Sequence, residues 1–347
     1  NPNHPEYGVA TIPFPIPRDQ YAHCMELLEA LEIGDAVKAD CKVQAINSFY
    51  TVLKRTEMLT VNVEELNYLA KRLDSFDTGE AAQFQAMAHK LELFELKDLI
   101  NLTFCCQQAT VITDFSDLAA IGRDHYMNLH GGCAKTEELD ALDSVETARR
   151  LIESGSGTIT PYGVVYDNSM ELEQIYDGRF FPCYYYEPNA ITVAVTSKAE
   201  PEDTEHITWL FLPMVQEEID RALLRGGITD PSEIRLSLED SWLPHEVLDL
   251  LDMDHVDISE LNALVQALDE FSDMSIRKYA AAAVMARPHT TEQAKHLAEN
   301  LDLFDFAPSA STPEEYGKYM IQQSGHFDYD ENLDAFYDYE KYGTERM

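Results

Sequence analysis

Apolar residues recur at helical spacing over 18–32, where Tyr21, Cys24, Leu27, Leu28 and Leu31 fall on one face. The same period predicts helices over 63–74, 79–91, 258–271 and 290–300. Thr312-Pro313-Glu314-Glu315 reads as an N-cap, a proline at the first helical position and an acidic first turn, opening a helix that runs to about 323. A short β-type run occupies 109–113. The stretch 158–213 is strand-rich, with runs at 162–166, 180–186, 191–196 and 206–212. Strand runs and helix runs are grouped, not strictly alternating, which predicts an α+β fold. Ser154-Gly155-Ser156-Gly157 reads as a joint, and 199–204 as an exposed acidic loop.

The pattern repeats. Val63-Glu64-Glu65-Leu66-Asn67-Tyr68-Leu69 recurs as Ile258-Ser259-Glu260-Leu261-Asn262-Ala263-Leu264, 195 positions on. Leu73-Asp74-Ser75-Phe76 recurs as Leu268-Asp269-Glu270-Phe271 at the same offset. Glu137-Glu138-Leu139-Asp140-Ala141-Leu142 matches Glu331-Asn332-Leu333-Asp334-Ala335-Phe336 at an offset of 194. Upstream, Ile16-Pro17 and Leu212-Pro213 each precede an amphipathic helix. The near-constant offset predicts two copies of one module of roughly 150 residues, too long a period for a solenoid. The expected organisation is a first copy at 1–154, a β-rich connecting segment at 155–190 and a second copy at 191–347.

Charge changes the picture most. The chain holds 63 Asp and Glu against 25 Lys and Arg, a net charge of −38. The carboxylates are interleaved with apolar residues along the whole length. A hydrophobic content of 45% gives enough material for packed cores, so this is no acidic disordered tail. Residues 1–150 hold 24 acidic and 13 basic side chains, net −11; residues 151–347 hold 39 and 12, net −27. Such a surface repels nucleic acid and attracts proteins that grip it. B-form DNA carries one charge per about 1.7 Å of axis, so this net charge corresponds to roughly 65 Å, or about 19 base pairs. Most acidic excess is simply a solvated face, so charge alone does not decide function.

The remaining chemistry is sparse. P-loop, GxGxxG, GxSxG and HExxH patterns are absent, and no carboxylate pair stands out as an acid/base dyad. The six cysteines have no CxxC spacing and suit a reducing cytoplasm. His125, His130 and Cys133 lack the second close pair that a zinc site needs. Asp328-x-Asp330-x-Asn332-x-Asp334 begins like an EF-hand loop, but Leu333 stands where glycine is required and Tyr339 where the bidentate glutamate belongs. No run of about 20 apolar residues is present to span a membrane. The expectation is a non-enzyme without metal or cofactor, bound neither to membrane nor directly to nucleic acid.

The C-terminal stretch is the most specific. His326-Phe327-Asp328-Tyr329-Asp330-Glu331-Asn332-Leu333-Asp334-Ala335-Phe336-Tyr337-Asp338-Tyr339-Glu340-Lys341-Tyr342-Gly343 resembles the end of the ArdA antirestriction family, with its Glu-Asn-Leu segment and Phe-Asp-Tyr-Glu-x-Tyr-Gly ending. Trp209-Leu210-Phe211-Leu212-Pro213 resembles that family's Trp-Leu-x-Leu-Pro opening, and the Glu260-Leu261-Asn262 helix its middle. The resemblance covers about 190–347 directly and about 8–150 through the repeat; 155–190 lies outside it. The chain is about twice the family's usual length, and 143–149 lack the aromatic ending.

This resemblance implies small α+β domains in series, an elongated acidic body that dimerises, and occupancy of the DNA groove of type I restriction-modification enzymes on behalf of incoming mobile DNA. The phosphate-mimicking candidates are Glu200, Glu202, Asp203, Glu205, Glu217, Glu218, Asp252, Asp254, Asp257, Asp328, Asp330, Glu331, Asp334, Asp338 and Glu340, taken as a set. Phe336, Tyr337, Tyr339 and Tyr342 have two readings, packing of the tail or a homodimer contact. The second copy is expected to carry most of the inhibition. Two other classes stay open: a DNA mimic aimed at another defence protein such as a CRISPR nuclease, and an acidic scaffold.

Overall fold

The computed structural model describes residues 1–184, 189–199, 205–249, 251–252 and 255–346. The fold is α+β. In chain order, α1 (Tyr21–Glu29) is followed by β1 (Cys41–Lys42) and β2 (Thr60–Val61), which pair antiparallel. Next come α2 (Val63–Asp74), α3 (Thr78–Lys90), α4 (Leu96–Leu102), β3 (Thr110–Ile112), α5 (Leu118–Leu129), α6 (Thr136–Ala141) and α7 (Ser144–Glu153). Four strands, β4 (Thr158–Thr160), β5 (Gly163–Tyr166), β6 (Ile191–Ser197) and β7 (Thr208–Leu212), lead to α8 (Gln216–Arg225). The chain continues through β8 (Ile234–Ser241), α9 (His245–Leu248), α10 (Ile258–Leu268), α11 (Asp273–Ala286), α12 (Thr291–Glu299), α13 (Pro313–Gln322), a 3₁₀ turn at Glu331–Phe336 and α14 (Tyr339–Arg346). One sheet has the antiparallel order β3–β5–β4, and another the order β7–β6–β8.

Two compact units divide the chain. Unit 1 comprises Asn1–Pro188, Ala194–Leu210 and Met214–Ile234; unit 2 comprises Asn189–Val193, Phe211–Pro213 and Arg235–Met347. The stretch 155–190 does more than connect: β5 pairs with β3 through Thr110–Tyr166 and Ile112–Val164, and so builds a sheet of unit 1. α8 also belongs to unit 1, although it follows the second Leu-Pro opening.

The 195-residue offset reappears in helix capping. Helix starts need side chains to satisfy their unpaired N–H groups. Asn62 caps α2 through Glu65 N at 3.1 Å, and Asp257 caps α10 through Glu260 N at 3.1 Å. Asp77 and Ser272 cap α3 and α11, and Asp117 and Thr312 cap α5 and α13. Asp143 accepts from Glu146 N at 3.0 Å, and Asp338 from Lys341 N at 3.0 Å, at the starts of α7 and α14. Each pair lies 195 positions apart, although three of the four change residue type.

The repeated helix pairs also close in the same way. An added Cβ on Gly122 would stand 1.8 Å from the Ser144 carbonyl oxygen, which brings α5 and α7 together. On Gly317 it would stand 2.0 Å from the Tyr339 oxygen, at the same junction of α13 and α14. Only glycine permits such backbone approach.

The main core of unit 1 gathers Leu69, Phe84, Met87, Leu99, Ile100 and Leu102, each at most 1% exposed, from α2, α3 and α4. A smaller cluster joins Ile112, Ile121, Ala148, Leu151 and Tyr166. In unit 2, Leu261, Leu264, Val265 and Leu268 of α10 are fully buried, and the Tyr279 hydroxyl donates to the Ala294 carbonyl at 2.9 Å.

Several expectations need correction. The helix expected over 18–32 is α1 alone, preceded by a 3₁₀ turn and closed by Glu32 at φ 54°. The strand expected over 180–186 is absent at 180–184; the rest lies outside the described residues. There Asp177 accepts from the amides of Arg179 and Phe180 to form a turn, and Phe181 stacks on Tyr68 with centroids 4.5 Å apart. α5, α7, α11 and β8 were not expected from the pattern. α11 hides its period in an Ala-rich stretch, and α7 lies in a charged one.

Candidate functional site

The site suggested by the sequence is a surface, so its construction starts with where charges go. Cations are scarce, and unit 1 draws several inward. Lys71, Arg72 and Arg225 are 8%, 6% and 4% exposed. Arg225, at the end of α8, donates to the carbonyls of Ala36 at 2.9 Å, Gly178 at 3.2 Å and Arg179 at 2.7 Å, to Asn62 Oδ1 at 3.1 Å and to the Tyr176 hydroxyl. Its guanidinium lies 3.6 Å from Glu65 and over the Phe181 ring at 4.4 Å. The Tyr176 hydroxyl donates to Glu65 Oε1 at 2.7 Å. One turn earlier, Arg221 pairs with Glu64 at 2.5 Å, and the Tyr21 hydroxyl donates to the same oxygen at 2.9 Å. Lys71 pairs with Glu218 at 3.2 Å.

Burial raises the Tyr21 and Tyr176 hydroxyls well above their ordinary value, and the neighbouring glutamates push the same way. Burial opposes the Arg221 charge most strongly, but Glu64 and Tyr21 together outweigh it and raise the guanidinium above its ordinary value. Arg72 donates to Thr103 and lies over the rings of Tyr184 at 3.8 Å and Phe104 at 4.3 Å. Lys71, Arg72, Arg221 and Arg225 are thus drawn away from solvent, with Glu64, Glu65 and Glu218 among their partners.

The expected carboxylates separate into three groups. Glu200, Glu202, Asp203 and Asp254 lie outside the described residues. Glu205, Glu217, Asp252, Asp257, Asp328, Asp330, Glu331, Asp338 and Glu340 are exposed. Within that group Asp257, Asp330 and Asp338 also accept backbone N–H groups, and Asp252 pairs with His255 at 2.8 Å. Glu218 is half-buried, and Asp334, though exposed, is taken up by neighbouring donors. Glu218 is only 17% exposed on Lys71. One oxygen of Asp334 accepts from the Tyr339 hydroxyl, from Tyr329 at 2.7 Å and from Gln322 at 2.9 Å. The Tyr339 and Tyr329 hydroxyls hold its carboxyl below the usual aspartate range.

The aromatic set divides too. Tyr339 is 7% exposed and packs the tail. Tyr337 lies 5.8 Å from Tyr339, and Tyr342 5.8 Å from Phe327 in an edge-on pair. Phe336 is 83% exposed. The expected list also omitted exposed acids of the first copy, Glu137, Glu138 and Asp140 on α6, which the repeat itself marks.

His125 bonds Thr110 at 2.9 Å, and His130 bonds the Tyr126 carbonyl at 2.7 Å. Among the described residues no group of three or more His, Cys, Asp or Glu is placed to hold an ion. A cavity of about 330 Å³ in unit 1 is lined by Phe180, Thr196, His206, Gly227, Asp230 and Glu233, among others. Its Asp230 is occupied by the amide and hydroxyl of Ser232, at 2.9 and 2.7 Å. Among the described residues no helix is long and apolar enough to cross a membrane. No protein-family model, curated protein or solved structure matches the chain.

Proposed function

We propose that this chain is a DNA mimic of the ArdA antirestriction type, which occupies the DNA-binding groove of a type I restriction-modification enzyme and protects incoming mobile DNA. The observation that carries the reading is the sorting of charge. Carboxylates stand exposed on both units, whereas several cations of unit 1, Lys71, Arg221 and Arg225 among them, are held in part-buried ion pairs. The C-terminal resemblance supplies the target class. The mechanism is competitive occupancy without turnover: exposed carboxylates meet the lysines and arginines that otherwise hold phosphates.

The test is inhibition of a purified type I enzyme by the full chain, with duplex DNA as competitor and ionic strength varied. Inhibition should be competitive with DNA and weaken steeply with salt, because exposed charges are screened beyond about 10 Å at 0.1 M. Affinity that stays constant across the salt range, or inhibition that DNA cannot relieve, would refute mimicry. Inhibition of a guide-RNA nuclease but not of a type I enzyme would keep the mimicry and reassign the target.

A further inference from the structure

The 3₁₀ turn Glu331–Phe336 in unit 2 is acidic and yet carries apolar side chains outward. Three residues complete a 3₁₀ turn, so positions i and i+3 stand in one row. Glu331 and Asp334 share a row, and Asp334 is turned in upon Tyr329 and Tyr339. Leu333 and Phe336 share another row, and they are 48% and 83% exposed. An aromatic ring left this far in water forgoes the burial that drives folding. The repeat places apolar residues at the same two positions of the first copy, Leu139 and Leu142, where both are half-buried. The pair is therefore a built part of the module, and in the second copy it stands free of the core.

Its surroundings select the partner. Six carboxylates lie from Phe327 to Glu340, and the nearby Lys318, over the Tyr339 ring at 5.8 Å, is paired with Glu314 at 2.9 Å, so the face is strongly acidic. A second copy presenting the same face would set like charges against each other, at a cost that disfavours a homodimer through this row. A cationic surface is the complement. An apolar residue ringed by charge is the arrangement of an interface anchor, with a desolvated centre inside a polar rim.

We propose that Leu333 and Phe336 form an apolar anchor that seats in a hydrophobic pocket of a cationic protein surface while the surrounding carboxylates pair with its lysines and arginines. The inference rests on the proposed function, so that surface is the DNA-binding groove of a type I restriction-modification enzyme. The anchor contributes binding that salt does not screen, and a phosphate backbone has no equivalent.

The test compares the full-length chain with Phe336→Ser, Phe336→Tyr and Leu333→Ser/Phe336→Ser, in DNA-competition assays on a type I enzyme at low and high salt. These substitutions leave the formal charge untouched. The double variant should bind about tenfold or more weakly at both salt concentrations with an unchanged salt slope. Phe336→Tyr should retain most of the affinity, and all melting temperatures should match the wild type. Wild-type inhibition with an unaffected double variant would overturn the anchor and spare the proposed function. A wild type that fails to inhibit would overturn both. A melting temperature lowered by Phe336→Ser would show a packing role instead. A wild-type dimer that Phe336→Ser dissociates in sedimentation would assign the row to a second copy.

Discussion

Arg225→Met tests whether the buried charge network organises unit 1. Methionine keeps a flexible apolar stem of similar reach and removes the guanidinium. Three backbone carbonyls, those of Ala36, Gly178 and Arg179, then lose a donor, and Glu65 loses the charge 3.6 Å away. Removing one partner of a buried ion pair costs about 3–5 kcal/mol, because the other charge stays buried and uncompensated. For a unit of this size each kcal/mol moves the melting temperature by about 2–4 °C. The expected fall is therefore roughly 6–20 °C, read by calorimetry or by far-UV circular dichroism on heating. Glu217→Gln, on the exposed side of the same helix, should stay within about 0.5 kcal/mol of wild type.

A cycle with Glu65→Leu isolates the pair. The double variant Glu65→Leu/Arg225→Met should be more stable than the sum of the single losses predicts, since an apolar pair can replace a buried ionic one at little cost. A melting temperature within about 2 °C of wild type for Arg225→Met would refute the account, and strict additivity in the cycle would refute the coupling.

Gly122→Ala, Gly317→Ala and Gly343→Ala should each lose about 1–3 kcal/mol by thermal melting, because the new methyl would stand 1.7–2.0 Å from the carbonyl oxygen of Ser144, Tyr339 or Pro313. Asp334 has a lowered folded pKa, so the stability it adds is present above its unfolded value of about 3.9 and is lost as pH falls through the folded one. Asp334→Asn should flatten the acid limb of a denaturation profile below about pH 4. Added salt should raise the melting temperature by screening like charges while it weakens target binding, so the two curves run in opposite directions.

The 195-residue offset was legible because packing constrains sequence at fixed places. Asn67 and Asn262 occupy equivalent buried sites, and Asn67 accepts from the amide of Ile16 at 2.8 Å, a job few side chains can do inside a helix. Cap positions were less visible, since Asp, Asn, Ser and Thr substitute for one another there. The 3₁₀ turn and α14 escaped pattern reading because their apolar residues face outward or serve a hydroxyl network instead of a stripe. The acidic surface was legible as a sum and illegible residue by residue. Composition counts Glu218 and Asp334 with Glu217 and Asp328, yet Glu218 is held in a part-buried ion pair and Asp334, though exposed, accepts from two tyrosine hydroxyls. What separates them is the partner each carboxylate finds, Lys71 for one and Tyr339 for the other. Those partners lie 147 and 5 positions away, and no local period encodes them. Long-range pairing of this kind, Lys71 with Glu218 and Arg221 with Glu64, takes cations and carboxylates off the surface together, so the field that a target would meet is set by the carboxylates left without such a partner.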